Sequence, residues 1–292
     1  MKRAGFTLIE LLVVIAIIAL LLSVMVPSLR IAKEYAAAAV CLTNQKNLCL
    51  AWTMYAEDNK SLLVGGSTYS AGHNKPTPYR WTERPLNYDT DNADTNNTTV
   101  PLSMETRING IRAGKLFPYT QDPELYHCPA DRTFVKNPEP LAVYRSYAIG
   151  GLMNGEDFAE RNGGINAPIS RYRVVGNRTL RVATKMNQIT SPGSKFVFVE
   201  EDVAQKGQQW NAGGFVLMEG GNAQSWWDWP AYFHNDSSTL GFADGHGERI
   251  RWQDSRSIRL MKEGETPDNN KVSAGLNNED LQFLIRGYFP MP

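Results

Sequence analysis

Three stretches of the chain carry residue types that could do chemistry. In "FHNDSSTLGFADGH", His234 is followed after nine residues by Asp244 and Gly245, with His246 next. A His and an Asp can form a general-base dyad when they touch. A strand rises about 3.3 Å per residue, so "SSTLGFA" alone spans about 20 Å and sets His234 and Asp244 near its opposite ends. The pair therefore reads as structural: His234 ties down the entering loop and Asp244-Gly245 makes a turn. His234 with His246 is the remaining route to a metal here, and no metal is expected from it. In "YHCPAD", His127 stands beside Cys128 without an accompanying acid or oxyanion signature, so no active thiol is expected. In "NYDTDNADTNNTTVP", Asp89, Asp91 and Asp94 suggest a calcium loop. That loop needs oxygen ligands at its first, third and fifth positions and Gly at its sixth, whereas Ala93 is fifth and Asp94 sixth. A solvated acidic loop fits better, calcium lacks support, and no cofactor is expected. There is no Gly-rich phosphate loop, Ser-His-Asp order or carboxylate pair, so the chain is expected not to be an enzyme. Trp226, Trp227 and Trp229, in "QSWWDWP", are either a sugar- or partner-binding surface or packing under a loop.

The whole chain limits the alternatives. Its 292 residues suffice for one large domain or two small ones. Lys plus Arg is 30 and Asp plus Glu is 30, a balance that argues against nucleic acid as partner. The three cysteines, Cys41, Cys49 and Cys128, fit no zinc spacing.

The elements that must position these residues begin with an apolar run. From Leu11 to Val26 only Ser23 is polar, enough to enter a bilayer when Phe6 to Ile9 are added. Lys2 and Arg3 precede it, which keeps the N-terminus cytoplasmic and the remainder outside. A cleaved secretory signal and a plain anchor both leave Glu10 unexplained, because a carboxylate in lipid costs several kcal/mol. Beyond Pro27 the chain is rich in helix formers, and Leu48, Ala51, Trp52 and Tyr55 share one helical face. A helix from Phe6 to about Glu57 follows, kinked or locally opened at Pro27 and ending at Asp58 and Asn59. Cys41 and Cys49 lie about 12 Å apart along it and cannot bridge each other. A disulfide from Cys128 to this helix suits an oxidising compartment and would staple the loop-rich part to it.

From Lys60 onward Gly, Pro and Asn separate short apolar runs. "KFVFVEE", "GFVLM" (Gly214–Met218), "TLGFA" and "ERIRW" read as strands. In the last, Ile250 and Trp252 would face in, and Arg249 and Arg251 out. Asp244-Gly245 suits a hairpin between the final two. "NNEDLQFLIRG" reads as a helix capped by Asn278 and stopped by Gly287.

"GFTLIE" resembles the class III signal of type IV pilins and type II secretion pseudopilins. The resemblance implies a leader of residues 1–5, cut by a prepilin peptidase between Gly5 and Phe6, and N-methylation of Phe6. Glu10 matches the family's acidic position, and its partner would be the Phe6 ammonium of a neighbouring subunit. A second resemblance rests on "FHNDSSTLGFADGH", which looks like the H-X9-DG domain that follows such signals, here 234–245. "CLTNQKNLCLAWTMYAEDN", "HCPAD" and "SYAIG" resemble other blocks of that family. Cys49 stands where this resemblance leads one to expect Gly or another small residue, which favours Cys41 over Cys49 as the partner of Cys128.

The expected architecture is α+β and pilin-like. A long N-terminal helix has a membrane half (6–29) and a packed half (30–59), the latter against an antiparallel sheet with large loops in a globular part (60–292). The expected function is a structural subunit of a type II secretion pseudopilus or type IV pilus-like fibre. Its partners would be prepilin peptidase, other pilin-like subunits and the inner membrane, with the globular part extracytoplasmic. The rival expectation is a membrane-anchored binding module, for carbohydrate, that borrows only the export signal.

Overall fold

The apolar run and the alanine- and lysine-rich segment behind it form one helix, α1 (Leu8–Asp58), of 51 residues. At 1.5 Å per residue it is about 77 Å long. The computed structural model describes residues 7–66, 79–83, 85, 103–131, 144–155, 172–175, 178–201, 214–215, 217–220, 223–226, 228–263 and 278–291. Gly5, Phe6, Trp227 and the acidic loop with Asp89, Asp91 and Asp94 lie outside them. The helix starts two residues later than expected, because Thr7 caps it. The Thr7 hydroxyl accepts from the Glu10 amide at 3.2 Å, and the Glu10 carboxylate accepts from the Thr7 amide at 2.8 Å. This is a capping box, Thr-x-x-Glu, and it satisfies two otherwise unpaired backbone donors. α1 continues through Pro27, where Ser28 Oγ donates to the Met25 carbonyl at 2.9 Å, and its C-cap is Asn59.

Every large apolar side chain from Leu8 to Val26 is exposed, whereas Ala38, Cys41, Leu48, Cys49, Ala51, Trp52 and Ala56 are buried. What buries the second group is a five-stranded sheet. Its strands are β1 (Tyr147–Gly150), β4 (Phe196–Glu200), β5 (Gly214–Phe215), β8 (Ser237–Phe242) and β9 (Gly247–Arg251), in the order β5-β1-β4-β8-β9. Two small hairpins lie apart from it: β2 (Tyr172–Val175) with β3 (Arg178–Arg181), and β6 (Leu217–Gly220) with β7 (Ala223–Trp226). Short helices α2 (Met104–Arg112) and α3 (Phe117–Thr120) precede the sheet, and α4 (Ser255–Glu263) and α5 (Glu279–Tyr288) follow it.

The architecture is α+β, as expected, but the sheet is mixed: β1 pairs antiparallel with β4 and parallel with β5. The expected single strand over "GFVLM" is split, Gly214–Phe215 joining the main sheet and Leu217 onward turning into a hairpin. The apolar continuity of "FVFV" reflects burial on both faces. Val197 and Phe198 face the core under α1, and Phe196 and Val199 face the second core with Leu281 and Leu284 of α5. A register shift between Phe196 and Phe198 permits this departure from strict alternation.

Asn278 caps α5, its side chain accepting from the Leu281 amide. Gly287 does not stop that helix. It lies inside it, where a Cβ would come within 2.8 Å of the Phe196 ring, so its glycine serves close packing. Trp226 and Trp229 are 1% and 6% exposed and belong to the second core, which removes them as a sugar-binding surface. Trp252 is buried and Ile250 partly so, as expected. Arg249 is not turned to solvent: its guanidinium lies 4.5 Å from the Tyr35 ring centroid and donates to the His234 carbonyl at 2.8 Å.

Candidate functional site

α1 reaches the sheet with two amides turned inward. Gln45 is buried and donates to the Thr239 carbonyl of β8 at 2.8 Å, while Asn44 donates to the His127 carbonyl at 3.1 Å. These bonds fix both the rotation and the height of the helix against the strands. One turn before Gln45, Cys41 is delivered to the same plane.

The "YHCPAD" stretch comes to that plane from the other side. Pro123–Tyr126 forms a short 3-10 helix, and the chain then turns so that the Asp131 amide meets the Cys128 carbonyl at 2.9 Å. Ser146, at the head of "SYAIG", brackets this turn. Its hydroxyl accepts from the Cys128 amide at 2.9 Å and donates to Asp131 at 2.6 Å, while its backbone bonds Tyr126 and Glu201. His127 points elsewhere, stacking on Tyr144 with Nδ1 2.8 Å from the Tyr144 carbonyl.

His234 arrives through an unusual turn. Asn235 and Asp236 both have φ near +54°, a left-handed conformation that Asn and Asp tolerate better than other non-glycine residues. The turn feeds β8 and leaves His234 fully buried. Glu200 ends β4 on the α1 side, directly opposite Tyr147 of β1.

Four side chains thus meet. Cys41 Sγ is 2.8 Å from Cys128 Sγ, Cys128 Sγ is 3.4 Å from His234 Nε2, and His234 Nε2 is 2.9 Å from Glu200 Oε1. All four residues are 0% exposed, and one donor atom from each lies within 4.8 Å of all the others. The two sulfurs are in contact without a bond between them. Glu200 Oε2 accepts from the Thr239 amide at 2.7 Å, which fixes the carboxylate. Burial alone would lower the His234 pKa, but bonds to Cys41 and Glu200 outweigh it and push the imidazole up to about 10. Burial also opposes ionisation of Cys41, yet hydrogen bonds from Cys128 and His234 hold that thiol below its ordinary value. Burial, then the Cys41 neighbour, pushes Cys128 well up.

The other sequence candidates fall outside this cluster. Asp244 accepts from the backbone amide of His246 at 3.1 Å, and Gly245 has φ +93° in the hairpin turn. His246 stacks on Phe242 with centroids 4.3 Å apart, so its ring is engaged there and not with His234. Cys49 is buried against β8, where a Cβ on Gly241 would come within 2.8 Å of its sulfur, and burial pushes its thiol up. Glu10 is exposed and bonded within its own capping box. Glu200 escaped the sequence analysis altogether. It ends a strand with an acidic neighbour, Glu201, and nothing local distinguishes a buried carboxylate there from a solvated one.

The four stretches singled out for their resemblance to H-X9-DG proteins therefore converge on one buried point: Cys41 from the first, Cys128 from the second, Ser146 from the third and His234 from the fourth. α1 is long and apolar enough to cross a membrane; its most apolar window has a mean hydropathy of 3.1, and none of it is buried among the described residues. The family model for the prokaryotic N-terminal methylation motif matches residues 1–26. No curated protein and no solved structure matches the chain.

Proposed function

We propose that the chain is a pilin-like structural subunit of a type II secretion pseudopilus or type IV pilus-like fibre. The carrying observation is the methylation motif at residues 1–26 coinciding with the start of a helix whose large apolar side chains from Leu8 to Val26 are exposed. In this reading a prepilin peptidase removes residues 1–5, Phe6 becomes the methylated N-terminus, and the apolar half of α1 is held by the inner membrane until neighbouring subunits replace the lipid. The head then lies outside the cytoplasm. The capping box adds a physical reason for Glu10. Its carboxylate holds the first turn of the helix, and in a fibre it would pair with the Phe6 ammonium of the next subunit, each charge offsetting the other's desolvation.

The reading is tested by exchanging Glu10 for Ala and following the chain into sheared fibre fractions. Exchange for Gln, which keeps a hydrogen-bond acceptor for the Thr7 amide but lacks the charge, separates capping from pairing. Both variants should remain in the membrane, and both should enter fibres poorly. Normal incorporation of the Gln variant would contradict the charge pairing. Absence of the parent chain from all fibre fractions would contradict the fibre role itself.

A further inference from the structure

We propose that Cys41, Cys128, Glu200 and His234 form a structural metal site of the zinc class, which fastens α1 to the head. Two sulfurs, an imidazole nitrogen and a carboxylate oxygen are a donor set suited to tetrahedral zinc. They come from four separate segments, and all four residues are fully buried, the closed surroundings of a structural rather than a catalytic ion.

Zinc binds sulfur at about 2.3 Å and nitrogen or carboxylate oxygen at about 2.0–2.2 Å, which sets neighbouring donors roughly 3.3–3.8 Å apart. The 3.4 Å between Cys128 Sγ and His234 Nε2 lies in that range. The sulfurs, at 2.8 Å, would open by about 1 Å, and the imidazole and carboxylate, at 2.9 Å, by roughly half that.

A disulfide is the competing fate of the two thiols, and its sulfurs would close by about 0.8 Å. The sulfur separation alone does not decide between them; the other two residues do. A cystine uses neither Glu200 nor His234, and would leave a carboxylate and an imidazole fully buried beside a neutral bridge. Desolvating such a pair costs several kcal/mol per ion before their attraction is counted. A divalent cation gives both of them a role. The surroundings also supply donors to the negative ligands. The Thr239 amide donates to Glu200 Oε2, and the Ala130 amide donates to the Cys128 sulfur. Such outer contacts orient ligands and support their charge. Binding would displace the protons held on the two sulfurs and on His234 Nε2, leaving two thiolates, one carboxylate, a neutral imidazole and the dication.

The test uses the full chain in detergent, purified with and without reductant, with metal content, free thiols and intact mass measured on the same samples. The proposal expects about one zinc per chain in untreated material. Cobalt exchanged into the site should show sulfur-to-cobalt charge-transfer absorption and the visible bands of a tetrahedral ion. Glu200→Gln should weaken cobalt binding by more than the roughly 10–100-fold that losing an outer contact costs, while Cys49→Ser should leave the spectrum unchanged. If Glu200→Gln unfolds the chain, direct cobalt titration of the reduced parent chain still decides. A chain lacking two hydrogens, with Cys41 joined to Cys128 and no zinc, overturns the proposal. So does a reduced, folded chain that takes up no cobalt.

Discussion

The two halves of α1 differ in what completes them. Between Leu8 and Val26 the helix is apolar all round, and its large side chains are exposed. Between Ala38 and Ala56 one face, with Cys41, Leu48, Cys49, Trp52 and Ala56, is buried against the head, while Val40, Leu50 and Met54 on the other side stay exposed. A helix covered by its own chain needs a stripe of small and large residues matched to particular neighbours, with buried polar groups such as Gln45 meeting particular carbonyls. A helix covered by lipid or by copies of itself needs no such matching from its own head. The change from one regime to the other falls near Pro27 to Tyr35, and in the proposed function it separates the part that folds from the part that would be inserted and assembled.

The sharpest way to break that contrast is to remove one large apolar side chain from each half. Trp52 is fully buried, and Trp52→Ala should cost the head about 3–5 kcal/mol, read as a drop in the urea midpoint of the full chain in detergent. Ile17 is 53% exposed, and Ile17→Ala should leave that midpoint where it was. Equal losses from both would mean that the first half packs against the head after all.

A smaller effect is expected where helix and strand approach most closely. Gly241→Ala would set a Cβ within 2.8 Å of Cys49 Sγ and 3.2 Å of Gln45 Oε1. Overpacking of this kind costs about 1–3 kcal/mol. Cys49→Ala makes room, so the double variant should recover part of the loss, and a thermodynamic cycle should show coupling of more than about 0.5 kcal/mol. Strict additivity would show that the contact is not the cause.

Much of the second half was legible beforehand because its signals are local. Leu48, Ala51 and Trp52 recur at helical spacing, Asn59 ends the helix, and Asp244-Gly245 marks a hairpin. What was not legible depends on chain separation. Gly287 reads as a helix stop until Phe196, far away in sequence, is seen against it. "GFVLM" reads as one strand until its two ends are claimed by different sheets. Trp226 and Trp229 read equally well as surface or core until the second core is assembled. The four-residue cluster is the extreme case: positions 41, 128, 200 and 234 share no spacing, and only the docking of α1 on β8 and of the Cys128 turn on Ser146 brings them together. Glu10, for which the sequence offers the Phe6 ammonium of a neighbouring subunit, also has partners within the chain, at Thr7 three residues away.

The hairpin offers a milder test. Among the described residues nothing lies within 4 Å of a Cβ placed on Gly245, yet its φ is +93°, so Gly245→Val should cost about 1–2 kcal/mol through backbone strain alone. Asp244→Asn keeps the turn and should be near neutral at pH 7. Burial would raise the Asp244 carboxyl, but hydrogen bonds from His246 outweigh it and hold it below its ordinary value. Such a group adds stability above the unfolded-state pKa of about 3.9, and that stability is lost as pH falls through the lower folded-state value. The parent's small extra loss in that acid window should therefore be absent in Asp244→Asn. A metal held through Asp244 would instead make Asp244→Asn the more damaging change and EDTA its mimic.

The central claim is that the first half of α1 is kept on a processed chain for assembly, and the mass of the membrane-extracted protein tests it most directly. The account predicts a chain that begins at Phe6 and carries one added methyl group, with the apolar helix intact. A chain that still begins at Met1, or one cut beyond Ala36 so that the helix is lost, would contradict it.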